Sequence, residues 1–485
     1  MNATLSGAAI SPSAVPQRAA IPGSYGWPVI GPLSDRLQYF WLQGPQKFFA
    51  NRMEKYESTV FRTNVPPTFP FFVGVNPNVV AVLDVKSFSH LFDTELVDKT
   101  NILVGDFMPS VKYTGGIRVC AYLDTTEAKH GQIKSFAIDI LKRSSSKWVS
   151  SMVTTLDATW DSLESQLAAA GDGGSASYIL PLQEFLFAFL SLTLLGADAS
   201  AFPEIKKCGH IYLDLWLGVQ LLPTIPINVV QPLEEIFLHS FSYPFWLVKS
   251  SYEKLTRFVE NGAAETVARA QTEFNLTKEE AIHNLLFTLG FNAFGGFTLF
   301  FLSLLGRLGE NPSVHEELRR EVRGKLSNNV LSFETVKEMD LVNSFVYETL
   351  RLDPPVPQQF GRARKDFDLT SHNAVYEIKK GELLCGFQPL VMRDPKIFEN
   401  PEDFVYNRFS KKNGEQYVYL FKAKTPALRS SSADNKCCTL KIGSNAKECF
   451  TVRQLKQRIH HIALTSKFLT PISSPTCRIL PDYSH

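Results

Sequence analysis

Apolar and polar residues are most unevenly distributed over residues 281–306, where AIHNLLFTLGFNAFGGFTLFFLSLLG carries no Lys, Arg, Asp or Glu. A helix that is apolar on every side lies either in lipid or at the centre of a large protein. Its length permits a membrane span. Asn292 and the pair Gly295-Gly296 sit at its middle, however, where a lone span gains nothing from an amide or from missing side chains. The pattern predicts a central helix whose glycines let a flat ligand approach the backbone. Residues 58–83 alternate β-branched and aromatic runs with Pro and Asn-Pro breaks, which predicts a small antiparallel sheet. Gly105, Pro109 and Gly115-Gly116 break the next stretch into loop. A helix opens near Thr125, with Ile133, Phe136, Ile140 and Leu141 at helical spacing. From Lys147 to Lys278 amphipathic helices predominate, interrupted by Gly and Ser at 171–177. Two strongly apolar runs there, 180–195 and 211–230, suit a lipid-shaped channel, rest on a membrane surface, or simply pack as helices. Residues 311–325 read as a charged surface helix. The whole is a mainly α fold with small β-sheets.

Composition narrows this picture. Apolar residues make up 44% and charged residues 20%, an ordinary globular balance. The 37 Phe suit a large aromatic interior. A net charge of +2 gives no reason to expect a nucleic-acid partner. The 7 Cys are odd in number and have no C-x-x-C spacing, which argues against a disulfide framework and for a reducing compartment. The first 20 residues are rich in Ala and Ser and contain Arg18 but no acid. They lack an apolar secretory core, leaving a plastid transit segment or a disordered tail.

Several residues carry candidate chemistry. Glu348 and Arg351 stand three apart on one predicted helix, a spacing that surface helices also show often. His130 and Lys134 share a helix face, and by themselves suggest a solvated basic strip. Asp434-Asn435-Lys436-Cys437-Cys438 is a short cysteine-bearing run. Together, FNAFGGF, the E-x-x-R pair followed by Leu-Asp-Pro-Pro-Val-Pro, and the Asn-Lys-x-Cys run resemble the plant fatty acid hydroperoxide-metabolising enzymes. These form an atypical branch of the cytochrome P450 superfamily, with a haem-thiolate fold. IPGSYGWPVIGP, from Ile21, is similar as well.

That resemblance implies haem b, with Cys438 rather than Cys437 as its thiolate ligand. It assigns the propionates to Lys99, His130 and Lys134, and places Lys436 and Lys441 in the ligand loop. Glu348, Arg351 and Arg408 would form the buried ionic core, with Tyr406-Asn407 where Pro-Asp is usual. Asn292 would hydrogen-bond the hydroperoxide. Gly295 and Gly296 would make room over the haem, and Leu103, Phe294 and Phe297 would shape the pocket. Oxygen-activating members carry an acid-alcohol pair after the glycines; here Phe297-Thr298 follows. A substrate that brings its own O–O bond needs no such pair, no reductase and no NADPH. At the position of Leu103, allene oxide synthases carry Phe and hydroperoxide lyases an aliphatic residue. The implied activity is therefore cleavage of fatty acid hydroperoxides, best matched by the 13-hydroperoxides of linoleic and linolenic acid. The products are a short aldehyde and an ω-oxo acid, formed through a hemiacetal. Allene oxide synthase, divinyl ether synthase, a reductase-dependent monooxygenase and a haem-deficient non-catalytic variant are the alternatives. The resemblance also implies a plastid location with peripheral envelope contact, a cytoplasmic one being the alternative.

The resemblance covers residues 21–409, expected to form one catalytic domain after a tail over 1–20. Residues 410–485 differ: they hold 13 Lys and Arg against 4 Asp and Glu, although the whole chain nets only +2. The usual Trp-Ser-Asn-Gly run before the cysteine is replaced by YVYLFKAKTPALRSS, and an apolar helix after it by TLKIGSNAKECFTVRQLKQRIHHI. This segment reads as a remnant of the ligand loop between unrelated flanks, the mark of a frame or splice error. It is expected to be poorly ordered.

Overall fold

The computed structural model describes residues 18–412, apart from short stretches at 67–71, 73, 172–174, 226–232, 327–330 and 373. The expectations for the first 17 residues and for the segment holding Lys436, Cys437, Cys438 and Lys441 lie outside the described residues. A two-residue strand, β1 (Arg18–Ala19), precedes α1 (Ile30–Leu37) and α2 (Gly44–Tyr56). Strands β2 (Val60–Asn64) and β3 (Asn78–Val82) follow, then the short α3 (Val85–Ser89) and β4 (Val97–Asp98). The helical bulk comprises α4 (Ala128–Ala170), α5 (Ile179–Leu190), α6 (Pro203–Leu221), α7 (Leu233–Phe237), α8 (Lys249–Gly262) and α9 (Ala264–Phe274). It continues through α10 (Lys278–Phe287), α11 (Gly296–Glu310), α12 (Pro312–Lys325), α13 (Phe333–Glu338) and α14 (Asp340–Leu352). Strands β5 (Gln358–Ala363), β6 (Phe367–Thr370), β7 (Val375–Ile378) and β8 (Leu383–Phe387), with the single turn α15 (Gln388–Val391), return the chain to the sheets.

The expected antiparallel pair is β2 with β3, in register from Val60↔Val82 to Asn64↔Asn78. It is only the edge of a mixed five-stranded sheet ordered β2-β3-β8-β5-β4, in which β3 and β8 run parallel. Alternation along the strands separates two cores. Val60, Val80, Val82 and Leu384 pack on one face, and Phe61, Val79, Ala81, Leu383 and Cys385 on the other. Cys208 and Cys385 are free thiols.

The helix expected at Thr125 begins at Ala128, because Thr126 bonds through its N–H and hydroxyl to Asp124 at 2.8 and 2.6 Å and remains outside it. Ile133, Phe136 and Ile140 are buried on its inner face as their spacing predicts. It does not stop near Lys147 but runs 43 residues. The Ser145 hydroxyl turns back onto the Lys142 carbonyl at 2.8 Å, a bond that competes with the helix, and the burial of Trp148, Met152 and Leu156 on its inner face carries the helix through the serine run. The 180–195 run becomes α5 and a π turn at Ser191–Leu195, and α6 ends just before Pro223.

The charge-free stretch forms one helix from Lys278 to Glu310, the only one among the described residues long and apolar enough to cross a membrane. It is a core helix instead, flanked by α5, α6, α8, α9, α12 and α14. A capping box opens it, with the Thr277 hydroxyl accepting from Glu280 N–H at 3.1 Å and Glu280 accepting from Thr277 N–H at 2.8 Å.

Candidate active site

At its centre the long helix widens into a π-helical segment, Thr288–Gly295, before resuming as α11. Such segments recur at functional sites because the wider turn displaces side chains from their α-helical positions. Two glycines permit it here for different reasons. A Cβ on Gly290 would lie 2.6 Å from Cζ3 of Trp216, so no side chain fits. A Cβ on Gly295 would stand 3.4 Å from the Gly290 carbonyl and from Leu217, which is marginal contact.

The segment has two faces. Leu289, Ala293, Phe294 and Phe297 are buried. Asn292, Gly295 and Gly296 are half-buried, and Leu299, one turn on, is 60% exposed although it belongs to the most central helix of the molecule. A flat apolar ligand would lie on this open, glycine-lowered face. The Asn292 carboxamide stands on it without a hydrogen-bond partner among the described residues. The hydroxyl of Thr298 donates to the Phe294 carbonyl at 2.8 Å, so it is committed to its own helix. Phe294 and Phe297 depart from the expectation that they shape the pocket. Phe294 is fully buried edge-on to Phe187 at 6.5 Å, and Phe297 packs against Phe301 at 5.9 Å; both back the helix from behind. Leu299 fits that lining role better. Sequence gave no sign of it beyond its helical spacing from Asn292 and Gly295.

Leu103 and Lys99 stand on the loop after β4 rather than on the helix. Leu103 is half-buried, and its N–H donates to the Phe107 carbonyl at 3.2 Å across a tight turn in which Gly105 has φ 59°. Lys99 directs its ammonium over the Phe92 ring at 5.1 Å. This loop is tied to the central helix farther along. The Cys120 N–H donates to Oδ1 of the buried Asn284 at 3.1 Å, and Gly115 lies so close beneath His283 that a Cβ would come within 2.2 Å of the ring.

His130 and Lys134 are both buried on the inner side of α4, not on a solvated strip. His130 is 1% exposed, and its Nε2 has no hydrogen-bond partner among the described residues. A buried donor of this kind is costly unless something accepts from it. An anionic group beside it would accept that bond. The residues on this side therefore fit a flat macrocycle carrying carboxylates.

Glu348, Arg351 and Arg408 come together in full burial. Arg351 holds both Glu348 oxygens at 2.8 Å and reaches the carbonyls of Met392, Pro401 and Asp403 at 3.0, 2.6 and 3.0 Å. Arg408 meets the same carboxylate at 3.1 Å and the carbonyls of Asn400 and Asp403 at 3.1 and 3.2 Å. The Val405 N–H adds a bond to Glu348 at 2.9 Å. A buried ion pair is tolerable only when its remaining hydrogen-bonding capacity is used this fully. The cluster staples α14 to residues 392–408.

Residues 279–424 match the family model for cytochrome P450. The chain is 58% identical to the chloroplastic fatty acid hydroperoxide lyase of Solanum lycopersicum, over 95% of this chain and 97% of that one. It is 54% identical to the chloroplastic linolenate hydroperoxide lyase of Arabidopsis thaliana, over 89% and 87%. Similarity to the chloroplastic allene oxide synthase of Arabidopsis thaliana is lower, 38% over 86% of this chain and 80% of that one. Among solved structures, the haem domain of a cytochrome P450DA variant superposes with a TM-score of 0.63, over 92% of this chain and 90% of that one at 17% identity.

Proposed function

The chain belongs to the fatty acid hydroperoxide lyases, a branch of the cytochrome P450 superfamily, and from that premise we propose how its own residues serve the reaction. The family's activity is cleavage of a fatty acid hydroperoxide into an aldehyde and an oxo acid, with a thiolate-ligated haem. That haem supplies, when bound, the electron-rich iron chemistry that opens an O–O bond. Cys438 would hold the iron, with Lys436 beside it in the ligand loop. His130, Lys134 and Lys99 would receive the propionates.

The observation that carries the reading is the Asn292 amide, presented on the open face of the π segment without a hydrogen-bond partner among the described residues. Its NH₂ group donates to the hydroperoxide and orients the O–O bond, and the lowered backbone at Gly295 and Gly296 leaves room for it. No acid follows the glycines, and the Thr298 hydroxyl is held by Phe294, so nothing on this stretch relays protons to a bound dioxygen. The substrate brings its peroxide ready made. Its class is the 13-hydroperoxides of linoleic and linolenic acid, and Leu103 gives the pocket the aliphatic lining of a lyase.

The chain works in the chloroplast, in peripheral contact with the envelope. Support for that contact is the exposed apolar side chains just before and within α1 and in and after α7, Trp27 being 81% and Phe237 60% exposed. Under anaerobic conditions and without NADPH, haem-loaded protein is expected to consume 13-hydroperoxylinolenic acid and release aldehyde and oxo acid in equal amounts. Strict dependence on O₂ and a reductase in that assay would sink the reading.

A further inference from the structure

Trp216 is among the largest fully buried side chains, yet it lies on α6, far in sequence from the loop and the helix segment it joins. Its indole N–H donates to the Tyr113 carbonyl at 2.9 Å. Its ring stacks on Tyr252 of α8 at 5.4 Å and meets Phe291 edge-on at 5.5 Å, with planes at 86°. The same ring occupies the space where a Gly290 side chain would be, 2.6 Å from an ideal Cβ. It therefore abuts the two residues immediately before Asn292, inside the π-helical segment. Through Tyr113 it also grips the loop that carries Leu103.

We propose that Trp216 is a positioning residue for the peroxide-cleaving site. It holds the π segment at Gly290 and Phe291 so that the Asn292 amide is presented at a fixed height on the open face, and it ties the Leu103 loop to that same reference. This rests on the reading of Asn292 given above. A π segment has poorer internal hydrogen-bond geometry than an α-helix and needs external contacts to keep its register. Among the described residues, Trp216 supplies contacts of three kinds at once: a ring on a bare backbone, an edge-to-face aromatic pair, and a hydrogen bond to a second element. Orientation errors of about an ångström at a reacting bond cost rate steeply. The role should therefore appear in turnover before it appears in binding.

The test compares Trp216→Phe, Gly290→Ala and Asn292→Leu, each alone, and the doubles of the first two with Asn292→Leu, in haem-loaded full-length protein. Readouts are kcat and KM for the hydroperoxide, haem content, Tm, and the affinity for the unreactive hydroxy fatty acid, read from the Soret shift. Trp216→Phe is expected to lower kcat about tenfold with KM, haem content and hydroxy acid affinity nearly unchanged, and Gly290→Ala to give the same signature from the helix side. In the Asn292→Leu background both substitutions should lose most of their effect on kcat, because residues acting through one group are not additive. An undiminished effect in that background would overturn the positioning role while leaving Asn292 in place. So would a fall in kcat that merely tracks haem content and Tm. Full kcat in Asn292→Leu alone would overturn the Asn292 reading itself, and the role of Trp216 with it.

Discussion

Leu103 shows how little a single residue reveals outside its setting. As a half-buried leucine on a loop it would pass for packing, and the structure gives it no polar contact of its own beyond a backbone bond to Phe107. Its weight comes from the loop, which the Asn284 amide and Trp216 fasten to the central helix and to α6. Leu103→Phe is expected to move products from chain cleavage toward the hydrolysis products of an allene oxide, because an aromatic face stabilises positive charge developing beside it. Some loss of rate through overpacking is expected as well, so the product ratio is the measurement. An unchanged ratio in protein with full haem content would remove Leu103 from the specificity determinants. The ionic core is the opposite case. Glu348 and Arg351 were visible as a spacing, but the sequence could not show that four backbone groups and Arg408 complete the pair. Those partners lie 41 to 60 residues away from it.

At the scale of elements, the central helix was legible because the absence of charge over 281–306 is a local signal. Its π segment was not. Trp216 fills the space at Gly290 within it, a contact between residues far apart in the chain. The mixed sheet was half legible for the same reason: the β2–β3 hairpin is local, whereas the β3–β8 pairing joins Val80 to Leu384. The apolar surface on α1 belongs to this scale too. Arg36, buried in α1, bonds to the Glu235 carboxylate at 3.0 Å and to the Ser240 hydroxyl at 3.0 Å, while Phe40 stacks on His239 at 3.9 Å. These contacts fix α1 to the residues around α7, and Trp27, Ile30, Leu42, Phe237 and Phe241 are the exposed apolar side chains of the joined segments. Inserting a large apolar side chain into a bilayer gains roughly 1.5–3 kcal/mol by area. Replacing Trp27 and Ile30 together with Ser should therefore lower co-flotation with galactolipid vesicles by more than about tenfold, with anaerobic turnover of dispersed substrate retained. Equal flotation of variant and parent would assign this surface another purpose.

For the molecule as a whole, the decisive question is how residues 410–485 meet the catalytic domain. Through Lys411 the chain stays tied to α14. The Phe409 N–H bonds to Ser344 at 2.8 Å, and the Lys411 N–H to both oxygens of Asp340 at 3.0 Å. Beyond that, the match to the cytochrome P450 family model ends at residue 424, before Cys438. The sequence around Cys438 is basic and interrupted by Ser and Pro where an apolar helix is usual. A thiolate ligand depends on its surroundings for orientation and for exclusion of water, and losing them weakens metal binding about 10–100-fold. On the proposed reading, the open face with Asn292 and Leu299 and the buried His130 and Lys134 would supply only the distal wall and the propionate side. The full chain is accordingly expected to purify with well under one haem per molecule. Replacing residues from Tyr417 onward with the corresponding segment of the Solanum lycopersicum lyase should raise haem content and anaerobic turnover together, without changing the product ratio set by Leu103. If the unaltered chain instead binds one haem, and Cys438→Ser alone abolishes the thiolate spectrum, the unusual segment is a working variant of the ligand loop and its basic flanks have replaced the apolar helix in shielding the cysteine.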